Sequence, residues 1–429
     1  MRVGDTIYAA STGAPPAAIA IIRVSGPEAR RVAQLLAGSV PPARRASLRA
    51  LRDPDTGTLL DRAVVLYFPG PATATGEDLT EFHVHGGRAV VAAVEAAIAS
   101  IDGTRLADAG EFTRRALAND RIDLTEAEGL GDLLSAQTET QRRAALRIAE
   151  GGLRSVIERW TDTLVAVAAE IEAALDFSDE DDVDEQSVEA IRHKIAIIAQ
   201  AVEALVVTPP VERLHDGIRI VIAGPPNSGK STLINALTGR DVAIVSPVSG
   251  TTRDRIEAAV TRGGVAYLLT DTAGLTDAPG DEIERIGIDR ARGAIAGADV
   301  VLWLDDDAPT DPRSLAVHPR VDMAGRHTVP PGRVAISATT GEGIAGLWDV
   351  IAQRAAAILP QEDTLAVNMR QRRLLARCGS YLVAAQQHDD LLLVAEDVRG
   401  ALQQLDAVTG RSGIEAVLDS IFARFCIGK

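Results

Sequence analysis

Cysteine is almost missing from this chain: Cys378 and Cys426 are the whole supply in 429 residues. Two thiols cannot build a disulfide framework, so a reducing cytosol is the simplest home. Positive charge is scarce too. With 44 Lys and Arg against 60 Asp and Glu, the formal net charge is −16, which opposes non-specific attachment to nucleic acid or an anionic membrane. Any RNA contact then needs a local basic patch or a basic partner protein. The apolar segment Ala17–Ile22 is too short and lies too far in for a secretory leader. No charge-free apolar run is long enough to cross a bilayer, so no membrane span is expected. What is present is 46% hydrophobic and 24% charged residues, the balance of a globular protein. The length suits roughly two or three domains, each with its own core.

The most informative stretch is Gly224-Pro-Pro-Asn-Ser-Gly-Lys-Ser-Thr232, which follows the apolar run Ile218–Ile222. A strand, a glycine-bearing loop and a helix start in that order make a phosphate cradle, with backbone N–H groups of Asn227, Ser228, Gly229, Lys230, Ser231 and Thr232 around a polyphosphate. Lys230 reaches the outer phosphates, Ser231 holds Mg²⁺, and the helix turns its positive end toward the anion. The competing reading is an ordinary strand-to-helix turn.

The flanks differ from this centre. Residues 1 to 118 alternate short apolar runs with turn residues, which predicts an α+β domain. Within it, Thr75–Gly87 mixes acids, histidines and glycines on a strand-like alternation. His83 and His85 share one face, as two metal ligands would, but no third ligand is evident; a polar-faced strand explains them as well. From Asn119 the period lengthens. Leu153, Val156, Ile157, Trp160, Leu164, Val167, Ile171 and Leu175 predict one long helix, stopping at Asp176–Glu185, where seven of ten residues are acidic. Ile191, Ile195, Ile198, Val202 and Leu205 predict a second, broken at Thr208-Pro209-Pro210. Helical stripes return with Leu374, Leu375, Cys378, Tyr381 and Leu382, then Val394, Val398, Leu402 and Leu405, then Ile414, Val417, Leu418 and Ile421. Two helical blocks around an α/β block imply one helical domain (119–212 and 363–429) interrupted by an inserted nucleotide-binding domain (213–362).

The inserted block carries further GTPase elements in order. Gly250-Thr-Thr-Arg-Asp254 is a first switch segment in which Thr252 completes Mg²⁺ coordination. The strand-like Val265–Thr270 ends in Asp271-Thr272-Ala273-Gly274, where Asp271 holds Mg²⁺ through water and the Gly274 N–H meets the outermost phosphate. Val334-Ala-Ile336 leads into Ser337-Ala338-Thr339, the place of a backbone N–H that reads guanine O6.

Two departures stand out. The guanine-reading Asn-Lys-x-Asp element is represented by Pro319-Arg320-Val321-Asp322. Asp322 can accept from guanine N1–H and the 2-amino group, and the flat Arg320 guanidinium can cover the base, but Pro319 offers no side-chain amide. Guanine preference with weakened affinity is the expectation, and Asp305–Asp322 is short enough to have lost a helix. Leu275 stands where many GTPases have a water-orienting glutamine, so another polar group, drawn from Asp281–Arg285, must serve. Asn227 is placed to hold a monovalent cation against the phosphates where an arginine finger would sit.

Over essentially its full length the chain resembles the tRNA modification GTPase family called MnmE or TrmE. The motifs that carry this are Asp5-Thr6-Ile7 through Arg23-Val-Ser-Gly-Pro27, Thr75-Gly-Glu-Asp78, Gly110-Glu-Phe-Thr113, Asn119-Asp-Arg-Ile-Asp-Leu124, the GTPase elements, and the terminal Phe425-Cys-Ile-Gly-Lys429. The resemblance implies a dimerising N-terminal domain that binds 5-formyl-tetrahydrofolate, with Arg23, Glu81, Arg121 and Lys429 at the family's folate contacts. It implies a K⁺ site at Asn227, Ser246, Val248 and Thr251, and Glu284 as the acid that positions the hydrolytic water. It implies a homodimer and a flavoprotein partner, MnmG (GidA), with which an aminomethyl or carboxymethylaminomethyl group is placed on C5 of wobble uridine, tRNA being met mainly through that partner. Cys426 occupies the family's terminal cysteine position, either as a nucleophile or as a small buried residue closing the helix. Cys378 reads as structural. The rival functions are a GTPase switch in ribosome assembly or signalling without folate chemistry, and a folate-dependent transferase acting alone.

Overall fold

The computed structural model describes residues 4–176, 185–239, 257–271, 292–361, 364–411, 425 and 428. The chain forms two compact units: Met1–Gly131 with Ile148–Arg159 and Leu405–Lys429, and Asp132–Arg147 with Trp160–Gln404.

The first unit opens with β1 (Thr6–Ala10), β2 (Ile19–Ser25), α1 (Ala29–Ala37), β3 (Ser47–Arg52), β4 (Leu59–Phe68), β5 (Leu79–His85), α2 (Arg88–Ala99), β6 (Thr104–Leu106) and α3 (Glu111–Ala118). The six strands form one sheet, in the order β3-β4-β5-β2-β1-β6. All its pairs are antiparallel except β1 with β6. Successive side chains of a strand point to opposite faces, and the sequence uses this to make two different surfaces. Ile22, Val24, Phe82 and Val84 pack with Val32 and Leu36 of α1 and Val94 and Ile98 of α2. On the other face Ile7 and Ala9 pack with Phe112 of α3, and Arg23 stands beside its register partner Glu81. The sequence expectation of an α+β fold is therefore met.

Helices follow: α4 (Leu124–Ser135), α5 (Glu139–Ala149), α6 (Gly152–Asp176), α7 (Glu185–Val207) and α8 (Glu212–Asp216). A reciprocal box starts α4, with Glu126 N–H donating to Asp123 Oδ1 at 2.8 Å and Asp123 N–H donating to Glu126 Oε2 at 2.7 Å.

In the second unit the chain continues through β7 (Ile218–Ala223), α9 (Lys230–Thr238), β8 (Glu257–Arg262), β9 (Val265–Asp271), β10 (Val300–Trp303), β11 (Ser314–Pro319), β12 (Val334–Ile336), α10 (Ile344–Ala356), α11 (Met369–Gln387) and α12 (Leu391–Thr409). The sheet order is β12-β11-β10-β7-β9-β8, parallel except for the β8–β9 hairpin. Gly263 and Gly264 turn that hairpin at φ values of 56° and 79°, which a two-residue turn with both residues left-handed requires. Strand order reverses on either side of β7, so the crevice beyond its carboxyl end is the place such sheets offer to a ligand. The buried strands Ile218–Ile222 and Val300–Leu304 lie in a core with Leu233 and Leu237 of α9 and Leu347 and Trp348 of α10. This is a P-loop α/β domain, and the segment between β10 and β11 contains no helix, as its shortness predicted.

The helical part of this unit buries Ile191, Ile195, Ile198 and Val202 of α7 and Leu375, Cys378 and Leu382 of α11, and the two helices pack together. Val188–Asp216 is long and apolar enough to cross a membrane by length and composition alone. Here it is a core element with one buried stripe, and its Arg192 and Lys194 pair with Asp389 and Glu170. One assignment is corrected. Tyr381, placed by its spacing in the buried stripe of α11, is 39% exposed and lies across Gly400, where an added Cβ would come within 2.8 Å of its ring. The stripe runs instead through Leu382 to Ala385. Burial drives the Cys378 thiol up to about 12, which makes it inert, as its core position suggested. The helix expected over Ile414–Ile421 lies outside the described residues.

Candidate functional site

The phosphate loop leaves the end of β7 at Gly224. A Cβ there would sit 3.0 Å from both Leu304 Cβ and Ser228 Oγ, so a side chain would press on the next strand and on the loop itself. Asn227 and Gly229 then take left-handed backbones, at φ 61° and 100°. Their curvature turns the chain into α9, whose first amides have no partner within the helix. Lys230 is only 7% exposed, and its Nζ donates back to the carbonyls of Gly224 at 3.1 Å and Pro225 at 3.0 Å. Among the described residues the buried Ser228 hydroxyl has no hydrogen-bond partner.

Parallel pairing of β7 with β9 sets Asp271 opposite Ile222. Its carboxylate, 2% exposed, accepts from Ser231 Oγ at 2.6 Å. Two hard oxygens held together beside a phosphate loop are a donor set that fits Mg²⁺. Among the described residues no group of three His, Cys, Asp or Glu can hold a metal by itself. His83 and His85 instead face single acids, Glu81 at 3.3 Å and Asp61 at 2.8 Å.

The candidate base-reading segments follow the two neighbouring strands β11 and β12, where Pro319 is the register partner of Ile336. Arg320 follows with φ 63°, and its Nη2 donates to the Asn227 carbonyl, tying this turn to the phosphate loop. Asp322 is exposed. Ser337 is fully buried and closes its loop with an N–H bond to Glu342 O at 2.9 Å and a hydroxyl that accepts from Thr340 N–H at 3.1 Å. That leaves Ala338 half-buried and Thr339 exposed. Gly343, at φ 74°, has no room for a Cβ beside the Ala335 carbonyl.

In the first unit, Arg23 Nε and Nη2 donate to Glu81 Oε1 at 3.1 and 3.0 Å, and the guanidinium lies 5.8 Å from the centre of the Phe112 ring. Arg121 donates to Thr73 O at 3.2 Å, and Asn119 to Thr75 O at 2.6 Å, so the segment after α3 is tied to the loop before β5. Near the far end of the chain, Gly428 O accepts from Ser11 Oγ at 2.8 Å. Its backbone, at φ 100°, presses so closely on Ala10 that any Cβ would strike the Ala10 carbonyl. A Gly428→Ala chain is expected to lose this contact at a cost of about 1–3 kcal/mol, seen as faster trimming of the C-terminus by a carboxypeptidase.

Two family models match the chain: the TrmE N-terminus of GTP-binding proteins over residues 6–121 and the MnmE helical domain over residues 124–426. A tRNA modification GTPase MnmE from Rhizorhabdus wittichii is 52% identical over 99% of this chain and 97% of its own length. Relatives of the same name from Erythrobacter litoralis and Zymomonas mobilis are 49% and 47% identical over 99% of this chain and 100% of theirs. The chain belongs to the MnmE family of tRNA modification GTPases.

Within this MnmE-family chain, the structure brings Asn227, Ser228, Gly229, Lys230, Ser231, Thr232 and Asp271 together, with Arg320 against the same loop. Arg23 and Glu81 touch; Arg121 lies in the same unit. Ser246, Val248, Thr251, Thr252, Thr272, Ala273, Gly274, Leu275, Glu284, Cys426 and Lys429 lie outside the described residues. Sequence reading missed the Ser11–Gly428 contact and the several bonds that Arg326 makes around Pro319. Neither leaves a mark in local spacing, because each joins residues brought together only by the fold.

Proposed function

We propose that this chain hydrolyses GTP in order to drive, with a flavoprotein of the MnmG (GidA) type, attachment of an aminomethyl or carboxymethylaminomethyl group to C5 of wobble uridine in tRNA. The one-carbon unit comes from a tetrahydrofolate bound in the first unit. The observation that carries the reading is full-length likeness to tRNA modification GTPases joined to a formed phosphate loop, in which Lys230, Ser231 and Asp271 converge.

The working parts are as follows. Residues 1–118 form the folate-binding and dimerisation domain, and 213–362 is a GTPase domain inserted between helical segments 119–212 and 363–429. Ser231 and Thr252 would hold Mg²⁺, with Asp271 acting through water, and the ion would supply charge neutralisation on the phosphates. Lys230 moves from the loop carbonyls to the phosphate oxygens, and Gly274 N–H binds the outermost one. Asn227, Ser246, Val248 and Thr251 hold K⁺, and Glu284 orients the attacking water in place of the glutamine that Leu275 excludes. Arg320, Asp322 and the Ser337–Thr339 loop hold guanine. The Arg23–Glu81 pair offers a carboxylate to the donors of a pterin and a guanidinium to an acidic tail, with Arg121 and Lys429 adding positive charge. Cys426 serves either as a nucleophile or as a small residue closing the last helix. The protein works in the cytoplasm as a homodimer and meets tRNA mainly through its partner, in keeping with a net charge of −16.

Hydrolysis of GTP by the purified chain is expected to run at least about tenfold faster in K⁺ than in Na⁺. Asn227→Ala should bring the two rates together. Equal rates in the unaltered protein would exclude the cation-assisted mechanism. Mass analysis of wobble uridine from cells with and without the chain tests the wider reading, and unchanged nucleosides would exclude it.

A further inference from the structure

The guanine-reading turn lacks the side-chain amide that would normally brace it, yet it is not loose. Pro319 has no N–H, and its carbonyl stands at the end of β11. Arg326 takes it: Nε donates to Pro319 O at 3.0 Å. The same guanidinium donates through Nη2 to Asp306 Oδ1 at 2.9 Å and to His318 Nδ1 at 3.3 Å, and through Nη1 to Asp306 Oδ2 at 3.3 Å. Because Nδ1 accepts, the ring proton of His318 is on Nε2, which donates to the Arg326 carbonyl at 3.0 Å. His318 is 5% exposed, so this exchange anchors Arg326 to the buried part of β11.

The backbone closes the same loop. Met323 N–H donates to Arg320 O at 3.0 Å and Arg326 N–H to Met323 O at 3.1 Å, while Val321 N–H donates to Ile336 O at 3.2 Å. Arg320, the non-glycine residue at φ 63°, is therefore held on both sides, by Arg326 at Pro319 and by β12 at Val321. A left-handed backbone of this kind persists only where its surroundings over-determine it. Its orientation sends the Arg320 guanidinium to Asn227 O and sets the position of Asp322, two residues on.

We propose that Arg326 is the positioning residue for base recognition in this chain, bracing the Pro319–Asp322 turn from the side where an asparagine amide is missing. The inference rests on the reading that Asp322 accepts from guanine. Inosine nucleotides lack the 2-amino group that Asp322 would bind, so the ratio of GTP to ITP affinity measures how well the carboxylate is placed. Loss of a charge-assisted brace is expected to weaken GTP binding by roughly tenfold or more.

The test is titration of the full chain with GTP and ITP analogues that do not hydrolyse. Arg326→Ala should lower GTP affinity while the GTP/ITP ratio falls toward one. Arg326→Lys, which keeps charge and stem but cannot span the ring, the carbonyl and the carboxylate together, should give an intermediate ratio, and it decides the matter if the alanine variant fails to fold. A purely structural role would weaken both nucleotides equally and leave the ratio unchanged, which overturns the proposal. Asp322→Ala separates the underlying reading. If it collapses the ratio and neither Arg326 variant does, guanine reading by Asp322 stands and the role of Arg326 falls; if it leaves the ratio intact, the reading of Asp322 itself is wrong.

Discussion

Replacing Lys230 by methionine is expected to lower turnover of GTP by about 10²–10³-fold while the protein stays folded. The argument starts from burial. Lys230 is 7% exposed, and its stem belongs to the packed start of α9 beside Leu233 and Ile234, so an alanine would add a cavity to the loss of charge. Methionine keeps the stem and removes only the ammonium. That group now bonds to the carbonyls of Gly224 and Pro225, both in the loop that surrounds the phosphates. On the proposed function it is already within the cradle, and it would exchange two carbonyl acceptors for phosphate oxygens when the nucleotide arrives. Charge that builds on those oxygens in the transition state loses its nearest fixed cation in the variant. The check is steady-state hydrolysis alongside thermal melting. An undiminished rate with an unchanged melt would show that Lys230 only closes the empty loop.

The second large effect concerns the first unit, where Arg115 should cost about 3–5 kcal/mol when cut to alanine. Its side chain is 4% exposed. It donates to Asp5 Oδ1 at 2.7 Å, to Glu77 Oε1 at 3.1 Å and to Glu111 Oε1 at 3.2 Å. Arg105 offsets part of the same charge, reaching Asp5 at 2.6 Å and Glu111 at 2.5 Å, but among the described residues no other cation is paired with Glu77. Glu77 in turn accepts from Ser25 Oγ at 2.7 Å and so ties the Thr75–Glu77 loop to β2. On the proposed function, loss of Arg115 should therefore weaken folate binding as well as the fold. Melting of the variant, read through hydrogen exchange in β1 and β5, checks the first effect, and equilibrium dialysis with formyl-tetrahydrofolate the second.

The same cluster makes the first unit sensitive to acid. Burial by itself would raise the carboxyls of Asp5 and Glu111, but bonds from Arg105 and Arg115 outweigh it and hold both below their ordinary 3.8 and 4.5. Carboxyls depressed on folding stabilise the native state fully above the ordinary values and lose that contribution as pH falls through the depressed ones. Unfolding of this unit should thus set in below about pH 4, and Arg115→Ala should move it to higher pH.

Much of this was legible before any coordinates. The period of two in β2 and β5, the period near 3.6 in α6 and α7, and the glycine and proline punctuation between them are local properties of the backbone. The phosphate loop was readable for the same reason, since its chemistry depends on adjacent residues. Tyr381 shows where periodicity fails: spacing assigns a face, but the width of the buried stripe depends on the neighbour, here a helix whose Gly400 leaves the ring a shelf at the surface.

By itself, then, the sequence determined the element types, the α/β block around the phosphate loop and the membership of a GTPase family. Only the tertiary structure decided which side chains serve which turn. Arg326 reaches Pro319 because β11 ends beside the loop that returns toward β12. Gly428 meets Ala10 and Ser11 at the end of β1, and Arg115 gathers three carboxylates from separate segments. The physical reason is common to all three. Propensity and periodicity act over one or two turns of chain, whereas a buried polar group takes whatever partner the packing brings within about 3 Å.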